Sequence, residues 1–254
     1  MMTTGEYFKR LFKVNKCSAC REILDIYSFE KAFCPECERA IEIAKIESCP
    51  DCFKSMIDCT CQPKLLSQKG SVCLRKLFIY HTGKQKEPQN RYIYFLKHNT
   101  SKRAFAYTAE GLWRGLESEL ASLGYSNSLE NRLITNVPRT KKALVKYGFD
   151  QSARVCQAIG ELSGIAYSPL LKRKFGGREQ KKLNAVERKK NMSSVIYANK
   201  KLKGSARGKC VILFDDIVTT GSSMSACISA LQKMGVKHVI CCSLAVDIKN
   251  KSAR

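Results

Sequence analysis

One stretch of the chain, residues 211–223, places two adjacent carboxylates before a hydroxyl-rich loop. Four apolar residues precede Asp215 and Asp216, and a Thr-Thr-Gly-Ser-Ser loop follows after two further apolar residues. This order predicts a buried strand, a ligand-facing turn and the N-terminus of a helix, where free backbone N–H groups and the helix dipole favour a phosphate. Ionised carboxylates only accept hydrogen bonds, so they suit the hydroxyls of a ribose. The stretch is therefore predicted to hold a ribose by its diol and by its 5′-phosphate.

All thirteen positions of this stretch fit one pattern: four apolar residues, two acids, two apolar residues, Thr-Thr-Gly, any residue and Ser. The stretch resembles the signature with which type I phosphoribosyltransferases bind phosphoribosyl pyrophosphate (PRPP). Gly221 would let the backbone approach the phosphate closely, and the hydroxyls beside it can donate to that phosphate. The alternative is a buried strand followed by a capped helix, although paired acids are unfavourable core residues. The predicted PRPP ligands here are Asp215, Asp216, Thr219, Thr220, Gly221, Ser222 and Ser223.

Cysteines form a second group of candidate ligands. Eight of the 14 cysteines fall between residues 17 and 61 and are arranged as four pairs. Two cysteines in a tight turn aim two thiolates at one point, and a second such turn completes a tetrahedral Zn²⁺ site. The pattern predicts a double zinc ribbon with one or two structural ions, and a disulfide framework and an iron–sulfur cluster are the alternatives. The predicted metal ligands are Cys17, Cys20, Cys34, Cys37, Cys49, Cys52, Cys59 and Cys61.

The chain is strongly basic, with 45 Lys and Arg against 22 Asp and Glu and a net charge of +23. Nine basic residues lie within residues 172–190, where only two acids oppose them. Such a field favours a polyanion such as nucleic acid, whereas the alternative is a solvated lysine-rich surface. Few aromatic residues interrupt this segment, so we expect phosphate contacts and a steep loss of DNA affinity with salt rather than base stacking. The candidate nucleic-acid contacts are Lys172, Arg173, Lys174, Arg178, Lys181, Lys182 and Arg188.

The remaining sequence alternates apolar runs that favour strands with periodicity that favours helices. This alternation predicts an α/β fold of the type I phosphoribosyltransferase kind, with a mostly parallel sheet flanked by helices and ligands beyond the carboxyl ends of the strands. Residues 1–66 are predicted to form the cysteine-rich module, and residues 67–254 the larger domain. Further strands are predicted at 77–80, 133–137, 167–171 and 236–246, and helices at 89–98, 103–123, 149–163 and 222–234.

A second loop is expected at the same edge of the sheet as the signature loop. It follows Val137 and contains Pro138, Arg139 and two lysines. Two loops at one edge could hold opposite ends of a ligand, with Arg139 facing the pyrophosphate, although an ordinary loop cation is the alternative. Arg173 is a further candidate for the pyrophosphate, because the segment around it could close over the site.

The whole chain resembles the ComF-type competence proteins, an amidophosphoribosyltransferase-like family, because the cysteine pairs, the basic loop, the basic segment and the signature stretch occur in the same order. Residues 147–151, Tyr-Gly-Phe-Asp-Gln, are similar to the Arg-Gly-Phe-Asn-Gln element of that family. The chain departs from the family pattern at Tyr147, at Asp150 and at Gly177, where the family has Arg, Asn and Thr. The basic segment is similar to the family pattern at Arg173, Gln180, Leu183, Arg188 and Asn191.

The resemblance implies a protein that binds PRPP with Mg²⁺, contacts single-stranded DNA and acts in DNA uptake together with the uptake machinery. Asp215 and Asp216 would orient the ribose and stabilise developing positive charge, and Mg²⁺ would neutralise the pyrophosphate. The alternatives are an active phosphoribosyltransferase that uses a base or an amine as acceptor, and a PRPP-responsive regulator. Since no apolar run approaches the roughly 20 residues of a membrane span and the N-terminus lacks a signal-peptide pattern, we expect a cytoplasmic protein.

Overall fold

The computed structural model describes residues 14–126, 128–174, 195–202 and 204–248. Four strands form a parallel sheet, and two short antiparallel strands form a separate ribbon. In chain order, the strands are β1 (Ser71–Ile79), β2 (Arg132–Asn136), β3 (Leu171–Arg173), β4 (Ile196–Ala198), β5 (Cys210–Val218) and β6 (His238–Val246).

The main sheet has the strand order β1-β6-β5-β2, and all three pairs are parallel. Residues 211–214 of β5 are fully excluded from solvent, as expected for a continuous apolar run in a parallel sheet. Asn136, the last residue of β2, pairs with Phe214, and the next residue of β5, Asp215, pairs with Ser243 of β6. The carboxyl ends of β2 and β5 are therefore level, so the loops that follow them leave the sheet side by side.

Helix boundaries follow ordinary capping chemistry. The hydroxyl of Ser101 accepts a hydrogen bond from the backbone N–H of Ala104 and so caps the helix of residues 102–122. Gly164, in the left-handed conformation that is common for glycine at this position, ends the helix of residues 151–163. The α-helices of the described residues are α1 (Pro35–Lys45), α2 (Lys64–Ser67), α3 (Pro88–His98), α4 (Lys102–Ser122), α5 (Lys141–Tyr147), α6 (Gln151–Ser163) and α7 (Ser222–Gln232).

Apolar residues cover both faces of the main sheet. On one face, Ile212 of β5 belongs to a core that also contains α3, α4, α6 and the first part of the cysteine-rich segment. On the other face, Leu213 belongs to a core built with α7, β3 and β4. Because successive strand residues point to opposite faces, β5 supplies both cores. The predicted fold class, a mostly parallel sheet flanked by helices, is confirmed.

Of the strand predicted at residues 167–171, Tyr167 forms a single parallel bridge with Ile134, and Leu171 is the first residue of the separate strand β3. Proline has no N–H to donate to a ladder, so Pro169 ends the pairing there. The strand predicted at residues 77–80 is the last part of the nine-residue β1. Both differences lie outside the edge that holds the candidate site.

Helix α5 forms where a basic loop was predicted, and Thr140 caps it by accepting a hydrogen bond from the backbone N–H of Ala143. Leu162, in the last turn of the helix predicted at residues 149–163, is 47% exposed, since that turn extends beyond Ile159, the last buried residue of α6. The division of the chain near residue 66 stays a prediction. No helix in the described part of the chain is long and apolar enough to cross a membrane.

Tyr92 gives a stability test of the larger core. Its ring is fully buried, and its hydroxyl lies 2.6 Å from the carbonyl oxygen of Ala104 and 2.7 Å from Oγ1 of Thr108. We expect Tyr92→Phe to lower the free energy of unfolding by about 1–2 kcal/mol, because it leaves buried polar groups without this partner. Chemical denaturation measures the change. The matched control is Tyr27→Phe, at a position that is 92% exposed, and equal losses in both variants would contradict the prediction.

Candidate functional site

The signature stretch forms a strand, a tight turn and a helix, in the order that the sequence predicts. Asp215 and Asp216 lie near the carboxyl end of β5, and α7 begins at Ser222. Gly221 has φ 75°, and a Cβ atom at this position would lie 3.0 Å from Cγ of Leu66. A residue with a side chain would therefore meet both backbone strain and the fully buried leucine of α2, so the turn requires glycine.

The hydroxyls of this loop are available to a ligand. Thr219 and Thr220 are exposed, and Ser222 and Ser223 are half-buried at the first turn of α7. Oγ1 of Thr220 lies 2.8 Å from Oγ of Ser222. These hydroxyls and the free N–H groups at the start of α7 make an anion-binding arrangement.

A cleft of about 330 Å³ brings the two predicted loops together. Its lining includes carboxylates from β5 and cations from three other parts of the chain, so residues that are far apart in the sequence meet at one place. The candidate residues that line it are Asp215, Asp216, Ser223, Arg139 and Arg173, joined by Lys97 and Tyr147.

Arg139 is held firmly at the wall of this cleft. Its side chain is 10% exposed, and Nη2 donates to Oε1 of the buried Gln151 at 2.7 Å. Nη2 also lies 3.6 Å from Oδ2 of Asp216, and Nε lies 4.0 Å from Oδ1 of Asp150. Among the described residues, its buried Nη1 has no hydrogen-bond partner. A buried guanidinium N–H of this kind points to a ligand, which favours the site cation over the ordinary loop cation.

Asp150 and Gln151 connect the segment of residues 147–151 to the cleft. Oδ1 of Asp150 accepts from the backbone N–H of Ala153 and so caps α6, while Oδ2 accepts from Nδ2 of Asn136 at 3.1 Å. The carboxylate thus fixes the end of β2 as well as the start of α6. Sequence reasoning found this element by resemblance but missed the contact between Gln151 and Arg139.

Lys97 is a site residue that sequence reasoning missed altogether. It lies in the last turn of α3, and its Nζ is 3.5 Å from Oδ2 of Asp216. A second cation therefore faces the carboxylate that Arg139 also approaches. No local pattern identifies this lysine, because the contact joins residues from distant parts of the sequence.

The environment of Asp215 in the folded protein disfavours the ionised form of its carboxyl group. Burial and the neighbouring Asp216 carboxylate raise the pKa of Asp215 well above its usual range, although the backbone N–H of Asp216 donates to Oδ1 at 2.9 Å. A ligand hydroxyl or a cation beside this carboxyl would compensate for the lost solvation. Such a strained titratable group in a cleft is typical of a functional site.

The basic segment is only partly described. Nη1 of Arg173 donates to the carbonyl oxygen of Pro138 at 3.4 Å, which places this cation at the cleft. Lys172 and Lys174 are exposed on either side of it. The other candidate nucleic-acid contacts, Arg178, Lys181, Lys182 and Arg188, lie outside the described residues.

The eight predicted metal ligands form two groups of four, and the thiol sulfurs of each group lie within 4.8 Å of one another. The sulfurs of Cys20 and Cys34 are 3.8 Å apart, and those of Cys52 and Cys59 are 3.5 Å apart. A tetrahedral ion with Zn–S bonds of about 2.3 Å needs sulfurs separated by about 3.8 Å. All eight thiols are free of disulfides, so both groups fit structural zinc better than the disulfide alternative. The groups are Cys17, Cys20, Cys34 and Cys37, and Cys49, Cys52, Cys59 and Cys61.

The second cysteine group packs beside the signature loop. Lys76 of β1 is 3% exposed, and its Nζ donates to the carbonyl oxygens of Cys59 and Cys61 at 3.2 and 2.7 Å. A small cavity of about 20 Å³ is lined by Cys61 and Pro63 of the cysteine-rich segment together with Thr219 of the signature loop. The position of the loop is thus linked to that of the cysteine group.

Comparison with known proteins finds two similarities in sequence. Residues 172–254, which include the signature loop, match the family model described as a phosphoribosyl transferase domain. Over 212 residues the chain is 24% identical to the competence protein ComFC of Streptococcus pneumoniae, and the match covers 83% of this chain and 86% of that protein. The chain is thus similar to a ComF competence protein over most of its length, and to a phosphoribosyl transferase domain over residues 172–254.

Two solved structures are also similar to this ComF-like protein. A glutamine PRPP amidotransferase from B. subtilis is 16% identical, with a TM-score of 0.36, and the match covers 59% of this chain and 30% of that one. A hypoxanthine phosphoribosyltransferase from Staphylococcus aureus is 13% identical, with a TM-score of 0.33, and the match covers 59% of this chain and 66% of that one. The ComF-like protein therefore spans about a third of the amidotransferase chain.

The raised pKa of Asp215 gives a prediction for stability against pH. A carboxyl with a raised pKa contributes its full stability below the unfolded value of about 3.9 and loses it as the pH rises through the folded pKa. Asp215→Asn removes this cost. We expect the variant to have a higher Tm than the wild type at neutral pH, by about 2–4 °C for each kcal/mol of stability gained, and we expect the difference in Tm to increase as the pH rises above about 3.9.

Asp25→Asn serves as the contrasting control. Hydrogen bonds from the side chain and backbone of Ser28 lower the pKa of Asp25, so its ionised form stabilises the folded state and the substitution should lower the Tm at neutral pH. Thermal unfolding at a series of pH values measures both effects. A lower Tm for Asp215→Asn at pH 7 would contradict the assignment of strain to Asp215.

Proposed function

We propose that this ComF-like protein binds PRPP with Mg²⁺ in the cleft at the carboxyl ends of β2 and β5, and that it handles single-stranded DNA during DNA uptake. The observation that carries the proposal is the meeting of two carboxylates with Arg139, Lys97 and Arg173 in one cleft. Acids and cations that line one cleft match a ligand that carries both a diol and a pyrophosphate.

Each group of side chains has a role in this proposal. Asp215 and Asp216 accept the ribose hydroxyls, and the loop of Thr219–Ser223 holds the 5′-phosphate with hydroxyls and N–H groups. Arg139 offers its unpartnered Nη1 to the pyrophosphate, and Arg173 adds a second positive charge. Mg²⁺, a hard cation that prefers oxygen ligands, would neutralise pyrophosphate charge when it is bound.

Ligand binding would also rearrange the ion pairs of Asp216. In the described structure, this carboxylate faces both Arg139 and Lys97 at 3.6 and 3.5 Å. These distances are longer than those of a direct hydrogen-bonded pair, so the cations are held near the carboxylate without being tied to it. A ribose hydroxyl can therefore take the carboxylate while the cations turn to phosphate oxygens.

The DNA part of the proposal is supported by charge and by the relative. The chain has a net charge of +23, and Lys172 and Lys174 are exposed next to the cleft-lining Arg173. The relative from Streptococcus pneumoniae is a competence protein. We infer a cytoplasmic protein that receives a single strand and works with proteins of the uptake machinery.

An active phosphoribosyltransferase is the second candidate. It is favoured by the match of residues 172–254 to a phosphoribosyl transferase domain and by the pair Asp215 and Asp216, which could stabilise an oxocarbenium-like state. In this case ribose-5-phosphate would pass from PRPP to an unidentified base or amine.

Calorimetry with PRPP and Mg²⁺ tests the binding site. We expect Asp216→Asn and Arg139→Met each to weaken PRPP binding by about tenfold or more, since a hydrogen bond to a charged group contributes about 1.5–3 kcal/mol. Glu130→Gln and Lys141→Gln are matched controls at exposed positions and should bind as the wild type does.

Pyrophosphate release in the same samples separates the two candidates. Release that depends on an added base or amine would establish turnover, whereas binding without release would favour a PRPP-binding DNA-handling protein. A wild-type protein that does not bind PRPP would overturn the proposal for the cleft.

We further propose that each cysteine group holds one structural Zn²⁺. Elemental analysis should find about two zinc ions per chain in the wild type and about one in Cys20→Ser or Cys52→Ser, because each substitution removes one of four ligands. Chelation should lower the Tm, since metal binding contributes to folding free energy. Cys73→Ser, outside both groups, should keep both ions. Iron in place of zinc, or a full complement in both ligand variants, would refute this assignment.

A further inference from the structure

Three aromatic rings, called the stack below, contact one another in series at the rim of the cleft, through one tilted and one edge-on contact. Tyr94 and His98 lie one turn apart on α3, with ring centroids 4.3 Å apart. The ring of His98 lies 4.9 Å from that of Tyr147, the last residue of α5, in an edge-on arrangement. Tyr147 lines the cleft with Asp215. The stack therefore begins at the cleft and extends outward to Tyr94.

These rings are not needed to pack the core. Helix α3 buries Tyr92, Ile93, Phe95 and Leu96, whereas Tyr94 on the other side of the helix is 66% exposed. His98 is also exposed, and Tyr147 is half-buried. Single exposed aromatic residues are common on protein surfaces, but contiguous ones indicate a binding surface.

Cations surround the stack on more than one side. Cζ of Arg139 and Nζ of Lys146 each lie 5.2 Å from the ring centroid of Tyr147. Lys97 lies between the two stacked residues of α3 in the sequence and reaches the cleft. Stacking rings with cations beside them are the recurring arrangement for single-stranded nucleic acid, in which bases stack on rings and cations meet the phosphates.

We propose that Tyr94, His98 and Tyr147 form a stacking platform for consecutive bases of a single-stranded nucleic acid. This inference rests on the proposed DNA-handling function and adds the surface on which the bases stack. It differs from the expectation from sequence, in which base stacking was not expected because few aromatic residues interrupt the basic segment. The platform lies instead on α3 and α5, on the side of the cleft where Lys97 and Tyr147 meet.

A strand fits this surface better than a free base or a protein does. Three rings in series offer more stacking area than one base can cover, and the outermost ring, Tyr94, does not line the cleft. The positive charge of Arg139, Lys146 and Lys97 complements the phosphates of a strand. A strand on this platform would have one base next to the predicted pyrophosphate end of the cleft.

Fluorescence anisotropy with a labelled thymidine oligonucleotide and an abasic oligonucleotide of the same length tests the platform. We expect the wild type to bind the abasic strand at least about fivefold more weakly, because each stacked base contributes measurable affinity. Tyr94→Ala/His98→Ala should bind both strands with the same reduced affinity. Its salt dependence should match that of the wild type, since the phosphate contacts remain.

Control measurements isolate the role of the rings. Tyr27→Ala, at a 92% exposed position outside the stack, should bind DNA as the wild type does. The double variant should keep the wild-type Tm and PRPP affinity, because its substituted side chains are exposed and do not line the cleft. A double variant that keeps full affinity for the thymidine strand would overturn the platform and leave DNA binding in place.

Two other outcomes would also overturn the inference, and they differ in what else they affect. If the wild type binds neither strand, the DNA part of the proposed function fails together with the platform, whereas the PRPP site stands on its own calorimetry. If the double variant binds DNA normally but loses pyrophosphate release stimulated by a free base, the rings serve an acceptor rather than a strand.

Discussion

The parallel pairing of β2 with β5 is the constraint on which the candidate site depends. It sets Asn136 opposite Phe214, so that Asp215 and the loop after β2 leave the sheet at the same level. A shift of one residue would turn Asp215 toward the opposite face and would exchange the two cores. The full burial of residues 211–214 makes such a shift costly, because each residue is matched to the core that it faces. Packing deep in the sheet thereby determines the geometry of a polar cleft at its edge.

Within that cleft, opposite charges are held close without being neutralised completely. Gln151 and Asp150 fix Arg139, which in turn stands near Asp216, while Asp215 remains in a setting that disfavours its ionised form. Preorganised charge of this kind reduces the cost of ordering side chains when a ligand arrives. The same arrangement lowers the stability of the unliganded protein, as is common where function and stability compete.

Local signals in the sequence predicted the parts of the site that are contiguous in the chain. The strand, turn and helix around Asp215 follow from apolar run, glycine and hydroxyls, and the cysteine pairs follow from ligand spacing. Lys97 and Gln151 could not be identified in this way, because their roles arise only when α3 and α6 pack beside the sheet. Tyr94 lies in a helix that was predicted, but helical periodicity alone does not distinguish an exposed ring that could bind a ligand from a ring at the edge of a core. The single bridge at Tyr167 shows a further limit, in which one proline outweighed the strand preference of its neighbours.

Lys76 has a consequence for how the chain can be divided or exchanged. Its buried ammonium is satisfied by two carbonyl oxygens from the second cysteine group and by that of Leu74 on its own strand. A polypeptide that begins after the cysteine-rich segment would keep the charge and lose two of these three acceptors, so water would have to solvate the ammonium in their place. The sheet and the segment that contains Cys59 and Cys61 are therefore tied by one side chain. An exchange of either part would therefore also have to remove this lysine or provide other acceptors for its ammonium group.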